Sequence, residues 1–330
     1  MDVTDDARAG DGDSPVNHVR LADPADQEAP AEDDGPLGEI VVVDINSPEL
    51  DMNYQRIGAI KAEELERMVC LERLFLRWNL IKKIENLETF TSLVELELYG
   101  NQLTEIVGLD TLVNLEILDL SFNRITEIKG LNNLNKLKKL FLSNNKISKI
   151  ENIDHLTSLE VLELGSNKIR TIENLDTLVN LQQLYLGKNK INQIKNLNTL
   201  KNLEILSLQC TRLTVIENLE ELTNLTDLYL SENGIETIQG LEELKKLTTL
   251  DLAMNKLTKI ENISHLVDLE ELWLNNNKIA DWNSINCLAS NSKLVTVYLE
   301  KNPIFDDPNY RRKIKLIVPW IKQIDATLVR

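Results

Sequence analysis

An α/β solenoid is predicted, with a curved parallel sheet on its concave face, short helical or 3₁₀ turns on its convex face and a C-terminal cap. Three observations predict it. Leucine and isoleucine return at fixed positions every 22 residues. Each period holds a short alternating stretch, Leu118-Asp119-Leu120 being one copy, in which the leucines face inward and the residue between them faces outward. No proline occurs from Glu49 to Asn302, so nothing interrupts the pattern over that span.

The chain of 330 residues begins differently. Residues 1–39 carry twelve acidic side chains against two arginines, four of the eight prolines and few large apolar residues. Burial there cannot offset the entropy of ordering, so a disordered acidic tail is expected over 1–39. The whole chain has a formal net charge of −17, which argues against nucleic-acid partners held by phosphate neutralisation. No apolar stretch is long enough to cross a membrane, and no secretory signal core is present, so neither membrane insertion nor secretion is expected. Cys70, Cys210 and Cys287 are too scattered for a disulfide framework or a zinc site, and Cys210 reads as an inert packing residue.

The solenoid is expected over 40–306, in about twelve units. One copy reads Leu115, Leu118, Leu120, Asn123, Ile125, Ile128, Leu131 and Leu134. The next begins at Leu137, and others begin at Leu71, Leu93, Leu159, Leu181, Leu203, Leu225, Leu247 and Leu269. A looser copy starts near Leu50, and a last one, at Leu294, follows a three-residue insertion. This is a leucine-rich repeat. No unit can bury its faces alone, so each depends on its neighbours. The asparagine after each strand, Asn123 or Asn145 for instance, has an amide able to bond the N–H and C=O groups that the turn leaves unpaired. Thr211 interrupts that ladder with a hydroxyl, a partial substitute. The period ends at a cap over 307–330, where Ile314, Leu316, Ile317 and Trp320 are candidates to cover the last repeat.

Enzyme constellations are absent. The three histidines are His18, in the tail, and His155 and His265, which occupy one repeat position and read as exposed convex residues. There is no glycine-rich phosphate loop, HExxH or CxxC. The acidic residues of the repeats read as solvent-facing. Neither a cofactor nor a metal is expected, and the chain reads as a non-enzyme.

What remains is the concave face. Three outward positions on each of eleven strands make 33 sites, a tenth of the chain. Even scatter of the fifteen aromatics would place between one and two there, yet seven are found: Phe75, Tyr99, Phe141, Tyr185, Tyr229, Trp273 and Tyr298. The column between the last two leucines of each strand reads Phe75, Glu97, Asp119, Phe141, Glu163, Tyr185, Ser207, Tyr229, Asp251, Trp273 and Tyr298. No core demand explains rings on an outward column. Rings interleaved with acids suit a protein-binding surface, with rings as anchors and charges setting register.

The uniform repeats and the terminal stretches VYLEKNP (297–303), DPNYRRK (307–313) and QIDAT (323–327) resemble the leucine-rich repeat regulatory subunits of protein phosphatase 1, the subunit-seven family. The likeness covers roughly 50–330. It implies a regulatory subunit that binds the phosphatase catalytic subunit through its concave face and controls its activity, maturation or localisation. It also implies a chain monomeric apart from that partner, in nucleus and cytoplasm. The family's contact positions correspond to Asp119, Phe141, Glu163, Tyr185, Asp251, Glu271, Trp273 and Tyr298. Tyr185 stands where the family typically has phenylalanine. The alternative is an adaptor for another intracellular complex, a ribonucleoprotein or ciliary scaffold. A ribonucleoprotein partner would call for more basic residues in the column.

Overall fold

The structure is a computed structural model, and it describes residues 46–61, 65 and 67–329. The acidic stretch 1–39 lies outside the described residues.

One sheet runs through the solenoid, its strands side by side in chain order. The strands are β1 (Glu49–Asp51), β2 (Arg73–Phe75), β3 (Glu95–Glu97), β4 (Ile117–Asp119), β5 (Lys139–Phe141), β6 (Val161–Glu163), β7 (Gln183–Tyr185), β8 (Ile205–Ser207), β9 (Asp227–Tyr229), β10 (Thr249–Asp251), β11 (Glu271–Trp273), β12 (Thr296–Tyr298), β13 (Gln323–Ile324) and β14 (Thr327–Leu328). β1 to β13 pair parallel, and β14 folds back antiparallel on β13. The parallel run exceeds the eleven strands counted from the regular copies. The looser first copy supplies β1, and the cap supplies β13.

Each repeat strand is three residues long and centres on a fully buried aliphatic residue, such as Leu118, Leu140 or Val297. The leucine that follows each strand, Leu120 or Leu142, is buried as well. The core is aliphatic, as the low aromatic content requires. The large buried rings among the described residues are Phe90 and Tyr310.

The convex connections are single turns. Leu112 N–H bonds Leu109 O and Leu115 N–H bonds Leu112 O, each at 3.0 Å, and the pair recurs at Leu178 and Leu181. These are i→i+3 bonds of 3₁₀ type, with too few residues between the buried leucines for an α-helix to form. A helix appears where the insertion lengthens the unit before the last, over Trp282–Ile285, followed by a 3₁₀ turn over Asn286–Ser290. Asp281 caps that helix by accepting the Asn283 N–H at 2.8 Å.

Polar ladders run along the solenoid. In the first, the Asn145 amide donates to Leu120 O (2.9 Å) and Leu142 O (3.1 Å), while its oxygen accepts the Ile125 N–H (2.9 Å). The Thr211 hydroxyl has a single proton, with Leu208 O (3.0 Å) and Asn233 Oδ1 (2.7 Å) both within reach as acceptors, and makes no bond back to the preceding repeat. A second ladder was not apparent from the apolar period. Asn152, Asn174, Asn196, Asn218 and Asn262 sit at one repeat position with φ near +58° and donate to an isoleucine carbonyl of the preceding repeat, Asn152 to Ile128 O at 2.7 Å. Glycine takes that position at Gly108, Gly130 and Gly240. Asparagine and glycine tolerate the left-handed conformation that the turn imposes.

His155 and His265 are not simply exposed. Each ring is half-buried, with Nε2 at 3.0 Å from Leu131 O and 2.9 Å from Leu241 O respectively. They tie one repeat to the one before.

The cap is built around the helix Tyr310–Ile317. Ile314 is buried and Ile317 packs against the core, but Leu316 is 71% exposed and Trp320 only partly covered. The helical period turns Leu316 outward. Tyr310, Val318, Ile321 and Ile324 close the apolar edge alongside Ile314. At the centre lies Asp325, 1% exposed. Its Oδ1 accepts the Leu299 N–H (2.8 Å), the Glu300 N–H (2.9 Å) and the Tyr310 hydroxyl (3.2 Å), and Arg311 lies 3.5 Å from its Oδ2. A single carboxylate thus satisfies the N–H groups that the last repeat would otherwise leave open.

Candidate functional site

The parallel register turns the outward column into a continuous stripe. Asp119 pairs with Phe141, Phe141 with Glu163, and Glu163 with Tyr185. Ser207 and Tyr229 follow, then Asp251, Trp273 and Tyr298. Seven of the eight candidate residues therefore stand in one row, one per strand, roughly 40 Å from Asp119 to Tyr298 at ~4.8 Å per strand. Glu271 stands two residues before Trp273 on β11, on the same side of the sheet.

The rings at the C-terminal end touch each other. Trp273 and Tyr298 meet edge to face, with centroids 5.9 Å apart and planes at 67°. The Tyr298 hydroxyl accepts a bond from Gln323 Nε2 at 2.9 Å. Gln323 lies on the cap strand, outside the period, and no repeat pattern points to it. The Tyr185 hydroxyl donates to Gln183 Oε1 at 3.1 Å, which holds that ring along its own strand. Tyr229 occupies the same stripe between Ser207 and Asp251 and joins the candidate set on position alone.

The carboxylates differ from expectation. Asp251 is 3% exposed and Glu97 is also buried, so the acids of the column are not uniformly solvent-facing. The cause is local. Asp251 turns its Oδ1 to the Ala253 N–H (3.0 Å), and Asp119 does the same to Ser121 (2.9 Å). Each thereby lies down along the strand exit, flanked by its neighbours in the row. Burial pushes the Asp251 carboxyl up to about 6, against hydrogen bonds from Ser231 and Ala253 that pull the other way. Burial also raises Asp119 and Glu163, and repulsion from Glu97 and Asp119 respectively adds to it. The Tyr185 and Tyr298 hydroxyls are raised by burial and by nearby carboxylates. The stripe is therefore semi-apolar, with acids held close to rings. Such a surface gains from a partner that brings apolar area and positive charge together.

Among the described residues no group of three or more His, Cys, Asp or Glu is placed to hold a metal, and no helix is long and apolar enough to cross a membrane. Cys210 has its thiol raised by burial and by Glu232, the reverse of an activated nucleophile.

Comparison with known proteins gives the same architecture. A leucine-rich repeat family model matches residues 186–330, and a two-copy leucine-rich repeat model matches 91–133, 113–155 and 157–201. The chain is similar to protein phosphatase 1 regulatory subunit 7 of Homo sapiens, 54% identical over 52 residues, and to that of Danio rerio, 51% identical over 49. The two matches take in 16% and 15% of this chain, and the chain spans only 14% of the length of either relative. Among solved structures, an internalin from Listeria monocytogenes superposes with a TM-score of 0.69 at 24% identity, covering 86% of this chain and 87% of that one. A leucine-rich repeat protein of Leptospira interrogans superposes at 0.67 and 25% identity, covering 80% and 74%. The chain is built of leucine-rich repeats, and over one segment it is similar to protein phosphatase 1 regulatory subunit 7.

Proposed function

We propose that this chain is a non-enzymatic regulatory subunit that binds the catalytic subunit of protein phosphatase 1 through its concave face. It acts in nucleus and cytoplasm and controls the activity, maturation or localisation of that subunit. The observation that carries the reading is the row of rings and acids, with the Trp273–Tyr298 pair and Glu271 at one end. An edge-to-face ring pair beside a carboxylate is the chemistry of an interface hot spot for a partly basic partner. The name of the similar regulatory subunits supplies the partner.

The reading assigns energy unevenly. Phe141, Tyr185, Trp273 and Tyr298 supply apolar anchors. Asp119, Glu163, Asp251 and Glu271 set charge register. A pull-down from cell lysate tests it, comparing the parent with a Trp273→Ala, Glu271→Ala double variant and reading the catalytic subunit by immunoblot and phosphatase assay. The parent retains the subunit and the double variant loses it. Equal retention by both refutes the reading.

A further inference from the structure

At the amino-terminal end four rings form a cluster that neither the core nor the phosphatase reading uses. Trp78 stacks beside Tyr54 with centroids 6.5 Å apart, meets Tyr99 edge-on at 5.3 Å and reaches Phe122 at 6.3 Å. Tyr99 and Phe122 are 4.7 Å apart. Tyr54 is 64% exposed, and the other three are half-buried.

Three features set this cluster apart from ordinary rim packing. Tyr54, Trp78 and Phe122 occupy one repeat position, the residue before the asparagine or its equivalent, with φ of +60°, +53° and +54°. Elsewhere that left-handed position is held by residues such as Asn144, Ser166, Lys188 and Asn276. Bulky rings are unfavourable there, and strain of that kind is retained where it serves a site. Second, the intervening repeat has Gly100 at this position, and a Cβ there would lie 2.8 Å from the Trp78 ring. The glycine is what allows the indole to lie across its neighbour. Third, Tyr99 is a ring in a column that has Arg77 in the repeat before it and the small residues Ser121, Ser143, Gly165 and Gly187 in the four repeats after it.

Charge states what would settle on these rings. Glu95 and Glu97 of β3, Asp119 of β4 and Glu163 of β6 lie beside them, and the charges of Asp119 and Glu163 reach the Tyr99 hydroxyl. Two guanidiniums answer this group of four: Arg77 bonds Glu97 Oε1 at 2.6 Å, and Arg73 acts on Glu95 while pairing with Glu49 at 2.9 Å. Burial first, then repulsion among themselves, holds the Glu95, Asp119 and Glu163 carboxyls above their usual range. The group is short of positive charge and borders a set of electron-rich ring faces.

We propose that Tyr54, Trp78, Tyr99 and Phe122 form a docking site for an arginine-bearing segment of a partner protein, whose guanidinium lies against the rings and pairs with the adjoining carboxylates. Arginine fits better than lysine because its flat, weakly hydrated cation stacks on rings while its N–H groups bond carboxylates in plane. The four rings stand apart from the phosphatase reading, which shares with this site only the carboxylates Asp119 and Glu163, and the test contains no phosphatase.

The test uses the full chain and fluorescein-labelled peptides of alternating arginine and Gly-Ser, with citrulline and lysine versions, read by fluorescence anisotropy at physiological ionic strength. Trp78→Asn and Phe122→Asn remove a ring yet place asparagine where Asn144 and Asn276 already accept the same backbone. Circular dichroism and thermal melts verify that both fold. Each is expected to weaken binding of the arginine peptide about fivefold to tenfold, the scale of one cation–ring contact. Trp320→Ala, in the cap, is expected to change nothing. The citrulline peptide should bind far more weakly than the arginine one. The proposal is overturned if the folded asparagine variants bind like the parent or if citrulline binds as well as arginine. Equal binding of the lysine peptide overturns the assignment to arginine.

Discussion

Replacing Asp251 by asparagine should make the chain more stable and a weaker binder at once. The carboxyl is 3% exposed, accepts the Ala253 N–H at 3.0 Å and titrates at about 6, against 3.8 for an unperturbed aspartate. The folded chain therefore holds this proton more tightly than the unfolded chain does. The stabilisation is fully present below pH 3.8 and is lost as pH rises through about 6. At 1.36 kcal/mol per pKa unit the loss is about 3 kcal/mol as an upper figure. Asparagine is isosteric, keeps an oxygen for the Ala253 N–H and carries no charge to desolvate. Urea unfolding at pH 7.5 should show the variant more stable than the parent by ~1–3 kcal/mol, with that gain shrinking to near zero at pH 4. Asp119 and Glu163 titrate in the same direction, so the difference between variant and parent is the quantity to compare, not the parent's own pH profile. Affinity for the phosphatase catalytic subunit, measured on the same samples, should fall. A variant that is destabilised at pH 7.5, or whose stability difference is the same at both pH values, refutes the burial argument.

Three further outcomes follow from the packing. Thr211→Asn restores bonds back to the preceding repeat that the threonine lacks, and should stabilise the chain by about 1–2 kcal/mol in urea unfolding. Asp325→Ala leaves the Leu299 and Glu300 N–H groups and the Tyr310 hydroxyl without their acceptor, and should cost roughly 3–5 kcal/mol, with hydrogen exchange rising first in the last repeat. His155→Ala removes the contact to Leu131 O and should cost about 0.5–1.5 kcal/mol of stability while leaving phosphatase affinity unchanged, because the side chain lies on the convex side.

The period made the strands legible, because a strand of three residues flanked by leucines has one way to bury them. It also placed Asp119, Phe141, Glu163, Tyr185, Asp251, Trp273 and Tyr298 in one row, since equal spacing becomes equal register. What the period could not carry was everything that depends on neighbours across repeats. Alternation says that Asp251 faces outward, but not that Tyr229 and Trp273 beside it leave it almost no water. The second asparagine ladder was hidden because Gly108, Gly130 and Gly240 share its position and the feature they have in common is a positive φ, not polarity. The cap is aperiodic, so nothing in its spacing told Leu316, which is exposed, from Ile314, which is buried, or marked Asp325 and Gln323 as the residues that bind the last repeat. The Tyr54–Phe122 cluster brings together rings from several repeats, and it forms only because Gly100 gives way.

The claim that the sheet face binds the phosphatase is tested most directly by the affinity of the purified chain for the catalytic subunit, with and without the Trp273 ring. The account predicts that Trp273→Ala costs ~2–4 kcal/mol, a loss of roughly 30- to 1000-fold, while Tyr185→Phe, which removes only a hydroxyl bonded within its own strand, costs little. Trp273→Ala binding as tightly as the parent, with the fold intact, would contradict it.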